Sequence, residues 1–361
     1  MSRLAAAHGA VNLSQGFPNF PIDPRLSETL AQKARGNFHQ YMPFAGDPVL
    51  LGKLASIIRD QYGRVLSPEK EMLVTAGATQ GIFTAIMALA GRGDEVVILD
   101  PAYDCYDTPV LLAGAKPVHV SLGADFSVDW NAVADAVTGQ TRMMIINNPH
   151  NPSGTVWKTR DFEALETLVE KFPRLLVLSD EVYEFITFEQ RHISVHHLEK
   201  LRERSVIVSS LGKTFHITGW KIGYLSAPEM LMKAIRNIHQ YLVFSVNSVA
   251  QAALADYIDI ADFPSIAGFY KAKRDGFRRI LEHSAFELLS CEGTYFQLAS
   301  YAGISDMPDT EFARWLVAEH GVAAIPVSVF NATGKDDKVI RFCFAKDDGT
   351  LQRAGERLRR L

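Results

Sequence analysis

Lys213 stands in Ser209-Ser210-Leu211-Gly212-Lys213-Thr214-Phe215, directly after an apolar run. Small neighbours and a preceding strand would bury its amine, and a buried amine titrates downward and becomes nucleophilic. Three more segments place reactive or polar groups at the ends of apolar runs. Thr75-Ala76-Gly77-Ala78-Thr79-Gln80-Gly81 lies between a strand and a helix. There, small residues let the backbone approach an anion, and the helix start offers free N–H groups. No Gly-Lys-Ser/Thr follows, which separates it from the Walker pattern. Asn147-Asn148-Pro149-His150-Asn151-Pro152 has two Asn-Pro steps, which force extended or turn geometry and fix side-chain amides that could donate to an anionic oxygen. Ser179-Asp180-Glu181-Val182-Tyr183 ends the most apolar run with an acid. Such an acid is costly unless it meets a positive group, for instance a protonated ring nitrogen, and Tyr183 could reach the same ring. Downstream, Thr218-Gly219-Trp220-Lys221 adds a cation that could join Ser210 on a phosphate.

Singly, each segment also has a structural reading: a small-residue turn, an Asn-Pro turn cluster, a helix N-cap aspartate, a surface lysine. Their order is what counts, because ligands of an open parallel sheet sit outside the carboxyl ends of its strands.

The elements that must position these residues follow from the hydrophobic pattern. Strands are expected at Met72–Thr75, Glu95–Leu99, Pro117–Val120, Met143–Asn147, Leu175–Ser179, Val206–Ser209 and Ile222–Ser226. Several are almost continuously apolar, as in strands covered by helices on both faces. Helix patterns such as Gly81–Ala90 and Asp161–Lys171 lie between them, so the expectation is an α/β fold with a mainly parallel sheet sandwiched by helices. The rest reads as a smaller α+β domain. It comprises a helical stretch over roughly Ser248–Leu281, strands at Phe286–Leu289, Tyr295–Leu298 and Val339–Phe344, a helix near Thr310–His320 and a final basic helix. The first 40 residues, rich in Pro and Gly, are expected to be extended. The divisions are therefore 1–37 (an N-terminal arm and part of the small domain), 38–260 (the large domain) and 261–361 (the small domain).

Composition narrows the function. The 361 residues are 47% hydrophobic and 22% charged, enough apolar mass for a large core. A net charge of −4, with both signs interspersed, presents no basic face for nucleic acid or an anionic membrane. No apolar run is long enough to span a bilayer. The N-terminus has no signal-peptide pattern, so a cytoplasmic location is expected. Three cysteines at wide spacing, with no CxxC, and 11 histidines, with no HExxH, point away from disulfides and from zinc.

Read together, the four segments resemble the fold-type-I aminotransferases of the aspartate aminotransferase superfamily, whose cofactor is pyridoxal 5′-phosphate. The nearest likeness is to the kynurenine aminotransferase/glutamine transaminase K group and its bacterial methionine aminotransferases. It is carried also by Asn12-Leu13-Ser14-Gln15-Gly16-Phe17-Pro18, Asp104-Cys105-Tyr106 and Ile340-Arg341-Phe342-Cys343-Phe344, and it runs nearly the whole chain. The resemblance implies that Lys213 carries the cofactor and moves the proton. Asp180 would pair with the ring nitrogen, Asn151 and Tyr183 would bond the ring oxygen, and Tyr103 would stack on the ring. Gly77, Ala78, Thr79, Ser210 and Lys221 would surround the phosphate. Arg341, helped by Gly16 and Asn151, would grip the substrate carboxylate. It further implies a homodimer in which Tyr41 reaches the partner's phosphate and Phe244 lines the partner's side-chain pocket, where Tyr103 also presents aromatic surface to the substrate. The leading segment before Asn12 is shorter than usual for that group, so less of it is expected to close over the site. The activity implied is amino transfer from methionine, an aromatic amino acid or glutamine to a 2-oxo acid. Cysteine-S-conjugate β-elimination on the same site and a non-catalytic module of the same fold are the alternatives.

Overall fold

A computed structural model describes all 361 residues. Strands are numbered β1 to β13 along the chain. The large sheet contains β2 (Met72–Thr75), β3 (Glu95–Asp100), β4 (Lys116–Ser121), β5 (Thr141–Asn147), β6 (Leu176–Asp180), β7 (Ser205–Ser210) and β8 (Gly223–Ser226), one strand for each apolar run of the sequence. Their order across the sheet is β2-β8-β7-β6-β5-β3-β4. All neighbours are parallel except β8, which runs antiparallel to both β2 and β7.

Side chains of a strand alternate between faces, and here both faces are dry. Val96, Ile98, Met143 and Ile145 pack under Ile82, Ala85 and Ile86 of the helix Ala78–Leu89 and under Met232 and Ile235 of the helix Glu229–Leu242. Val97, Met144, Ile146 and Val177 meet Phe162, Leu165 and Val169 of the helix Thr159–Lys171 on the other face. That double cover explains why every residue of β6 and β7 is buried.

Reversal of β8 brings the polar ends together. Gly223, its first residue, pairs with Thr75 at the end of β2 and with Ser210 at the end of β7. Asn147 at the end of β5 pairs with Asp180 at the end of β6. Five strand termini thus meet along one edge of the sheet.

A second sheet, antiparallel, has the order β12-β13-β10-β9, from Ile325–Pro326, Val339–Cys343, Phe296–Ser300 and Glu287–Leu288. The helices Phe263–Leu281, Asp309–His320 and Asp348–Leu358 cover it, with Phe277, Phe312, Phe342 and Leu351 in the shared core. β1 (Val11–Asn12) runs parallel to β11 (Val322–Ala323).

Two expectations are corrected. The first 40 residues are not simply extended but contain the helices Ser2–Ala7 and Pro24–Arg35. The second begins with Asp23 accepting from the Arg25 N–H and with proline in its first turn, both strong start signals. Its Leu26 enters the core beside Leu50 and Leu54. The stretch 248–281 is not one helix. It stops at Tyr257, passes through a single 3₁₀ turn, Ile258–Ile260, and restarts at Phe263, where Asp262 caps the Ser265 N–H. Pro264 lacks the N–H that a continuous helix would need there. No helix is long and apolar enough to cross a membrane.

Candidate active site

A cavity of about 400 Å³ opens at the edge where the strand ends converge. Gly77, Ala78, Thr79, Tyr103, Asn147, Asn151, Asp180, Tyr183, Ser210, Lys213 and Lys221 all line it, as do Gly16 and Arg341 from the chain's two ends. Its size lies in the range of small-ligand pockets.

Lys213 does not sit in a loop. It occupies the one-turn helix Leu211–Thr214 that continues straight from β7. Its amine lies 3.0 Å from the Tyr295 hydroxyl and 3.3 Å from the Gly16 carbonyl. Burial dominates its titration and lowers it to about 8. This is a lysine prepared to react as a free amine.

Asp180 is buried, and burial raises its carboxyl to about 6. The Tyr106 hydroxyl donates to Oδ2 at 2.7 Å and the Val182 N–H to Oδ1 at 3.3 Å. Both neutral donors favour the charged form but supply no counter-charge. A cation arriving in the cavity would.

From Asp180 a chain of amides leads to Arg341. Asn147 Nδ2 donates to the Asp180 carbonyl at 2.9 Å, and Asn147 Oδ1 accepts from the Asn151 N–H at 2.8 Å. Asn151 Oδ1 then accepts from Arg341 Nη1 at 2.6 Å, which leaves Asn151 Nδ2 as the amide group able to donate elsewhere. The Arg341 guanidinium lies over the Phe296 ring at 4.0 Å and the Phe330 ring at 4.9 Å. No carboxylate pairs with it, and its buried Nε has no partner. A buried, unpaired guanidinium is a strong attractor for a carboxylate.

At the other end, Gly77 adopts φ +79° and starts the helix Ala78–Leu89 with no side-chain cap. A left-handed glycine is needed there, and the first N–H groups of the helix have no partner within it. Lys221, itself left-handed at φ +56°, lies so close that a Cβ on Gly77 would come within 3.1 Å of its Nζ. The arrangement is a positively polarised cradle between a lysine and a helix start. Tyr103 flanks it with a phenol that burial pushes up to about 12. Burial likewise raises Tyr183, which keeps its proton.

Residues 9–358 match the family described as "Aminotransferase class I and II". The chain belongs to that family. It is 46% identical to a methionine aminotransferase of Escherichia coli strain K12, over 100% of this chain and 94% of the relative. A kynurenine–oxoglutarate transaminase 1 of mouse is 34% identical over 99% of the chain and 93% of its own length. Among solved structures, an E. coli protein identified as having a methionine aminotransferase function superposes with a TM-score of 0.97, covering 100% of this chain and 96% of that one at 46% identity. The protein is accordingly an aminotransferase of aspartate aminotransferase-like fold, dependent on pyridoxal 5′-phosphate, acting on amino acids and 2-oxo acids.

The residues present fit that cofactor. A buried amine, a buried carboxylate with no direct ion pair and an anion cradle line one cavity. These answer an aldehyde, a ring nitrogen and a phosphate.

Two of the expected residues are not in this chain's cavity. Tyr41 is 80% exposed and Phe244 is 48% exposed, and they pack edge to face at 5.1 Å on the surface. Sequence reasoning in turn read Asn147 only as part of a segment of fixed amides and assigned no role to Tyr106 or Tyr295. Tyr106 was visible only as a member of a matching motif, and nothing in the sequence points Tyr295 at Lys213.

Proposed function

We propose that the enzyme moves the amino group of methionine or an aromatic amino acid to a 2-oxo acid. The observation that supports this choice is the distribution of cations in the cavity. Lys213, Lys221 and Arg341 are the only ones lining it. By our reading all three have tasks common to every amino-acid substrate, so no cation remains for a distal carboxylate. Phe17, Ile325, Val329 and Phe330 present apolar surface to the side chain instead. The flexible, polarizable thioether of methionine packs well on such surface. The names of the E. coli and mouse relatives agree with this preference.

In this reading Lys213 would carry the cofactor and, once displaced by the substrate amine, would serve as a free amine that takes the proton from the substrate Cα and delivers it on the far side of the substrate nitrogen, two atoms away. Pyridoxal 5′-phosphate, when bound, supplies the electron sink for the pair left behind. Asp180 holds a positive charge on the ring nitrogen. Asn151 and Tyr183 donate to the ring oxygen, and Tyr103 covers the ring face. Ala78, Thr79, Ser210 and Lys221 anchor the phosphate. Arg341 takes the substrate carboxylate bidentately beside Asn151 and Gly16, which orients the Cα–H bond toward Lys213.

Side-by-side kinetics test the substrate choice. Methionine or phenylalanine should exceed aspartate in kcat/KM by at least about tenfold, roughly 1.4 kcal/mol of transition-state binding. Glutamine should fall between them. A clear preference for aspartate would overturn the assignment.

We also propose a cytoplasmic homodimer with shared sites. Tyr41 and Phe244, packed edge to face, and Met230, Tyr241 and Leu242 are large apolar side chains with no cover in the single chain, and Tyr241 is 89% exposed. Gln240–Asn247, which contains no Arg or Lys, would line the partner's side-chain pocket through Phe244. Mixing an inactive Tyr41→Ala protein with an inactive Lys213→Ala protein should restore activity. Random two-fold pairing rebuilds about a quarter of all sites. No recovery after verified subunit exchange would exclude site sharing.

A further inference from the structure

Lys213 Nζ, the Tyr295 hydroxyl and the Gly16 carbonyl form a closed triangle. Its sides are 3.0 Å from Lys213 to Tyr295, 3.3 Å from Lys213 to Gly16 and 2.7 Å from Tyr295 to Gly16. The carbonyl can only accept. Tyr295 has one hydroxyl proton, and the short contact directs it to Gly16, so the phenol oxygen is left to accept from Lys213. Two N–H bonds of Lys213 are thereby committed, one to each oxygen. A neutral amine has only two N–H bonds and one lone pair in tetrahedral array, so fixing both bonds fixes the lone pair. It must project away from both acceptors.

The phenol cannot easily leave this position. Tyr295 is fully buried, with Tyr183 edge-on at 5.2 Å, Phe296 at 4.9 Å and Tyr270 at 5.7 Å around its ring. Phenylalanine would fill the same space, so packing alone gives no reason for a hydroxyl. Burial keeps that hydroxyl protonated, which preserves the direction of the bond to Gly16.

We propose that Tyr295 is a positioning residue that aims the lone pair of Lys213 at the substrate Cα. The proposal rests on the reading of Lys213 as the proton-transferring amine. It does not require Tyr295 to touch the substrate, and Tyr295 is not among the residues lining the cavity.

Tyr295→Phe tests it, with Tyr270→Phe as the control. The Tyr270 hydroxyl is buried in the same aromatic cluster and has no partner, so its loss removes the same group without touching Lys213. In the cofactor-free protein, trace acetylation of Lys213 across pH, read by peptide mass spectrometry, gives the midpoint of its titration. Tyr295→Phe should lower that midpoint, because the ammonium form loses an acceptor. In the loaded enzyme, kcat should fall by about tenfold or more, a typical scale for misaligned proton transfer. KM should stay within about twofold, and the isotope effect with α-deuterated substrate should rise, as the proton step becomes more limiting. Tyr270→Phe should change neither the midpoint nor the isotope effect. An unmoved midpoint, an unchanged isotope effect or the same changes in Tyr270→Phe would each overturn the proposal. Failure of the Lys213 reading would look different: borohydride would fix the cofactor to another lysine, a result that removes both.

Discussion

Lys213→Ala should lower kcat by at least about a thousandfold, on the order of 4 kcal/mol of barrier, in a protein that still folds. The loss is large because no second amine is near. Lys221 is the only other lysine lining the cavity, and it lies over Gly77 at the head of the helix Ala78–Leu89. Folding should survive, since truncation removes a desolvated amine and leaves the 2.7 Å bond between Tyr295 and Gly16 in place. Circular dichroism and a thermal melt check the fold, and single-turnover absorbance checks the chemistry. Borohydride reduction of the wild-type enzyme, followed by peptide mapping, should find the cofactor on Lys213. Label on any other lysine would refute the assignment.

Asp180→Asn should cost about a hundred- to a thousandfold in kcat, roughly 3 to 4 kcal/mol, while cofactor still binds. The amide can keep the hydrogen bond from Tyr106 but carries no charge to hold a proton on the ring nitrogen. A pH signature accompanies the change. Burial raises Asp180 to about 6, so its carboxyl is charged above that pH and neutral below it. A bound cation favours the charged form, so this contribution to cofactor affinity is present above about pH 6 and lost as pH falls through it. The asparagine protein should lack that component. The phosphate titrates in the same region, so the measurement is the difference between the two proteins in fluorescence titrations of cofactor against pH. Activity within a few-fold of wild type, or identical affinity profiles, would remove Asp180 from this role.

Much of this architecture was legible in the residues themselves. Each strand of the large sheet coincides with an apolar run, because double cover by helices leaves a signal that polar loops interrupt sharply. Asp180, Asn147 and Ser210 could be placed at strand ends because polar residues terminate those runs. The helix Pro24–Arg35 was missed although Asp23-Pro24 announces it, since prolines and glycines before it suggested an extended arm. The break after Tyr257 was missed because the apolar pattern passes through it, and only Asp262 with Pro264 marks the restart. Contacts between distant segments left no local trace. Tyr106 reaches Asp180 across 74 residues and Tyr295 reaches Lys213 across 82, separations over which spacing and periodicity say nothing. Tyr41 and Phe244 pose a different problem, as their expected destination lies outside a single chain.

The amide chain from Asp180 to Arg341 has a consequence for how such an enzyme can diversify. Because Asn147 and Asn151 join the two ends by hydrogen bonds of 2.9, 2.8 and 2.6 Å, the ring-nitrogen and carboxylate sites proposed at Asp180 and Arg341 would share one ruler. On that proposal any amino acid gripped at its carboxylate would present its Cα in the same register, whatever its side chain. Phe17 and Val329, which line the cavity, take no part in that ruler and are 46% and 55% exposed. Mutation can explore new side chains there while the reaction coordinate stays calibrated, so substrate range is free to drift faster than chemistry.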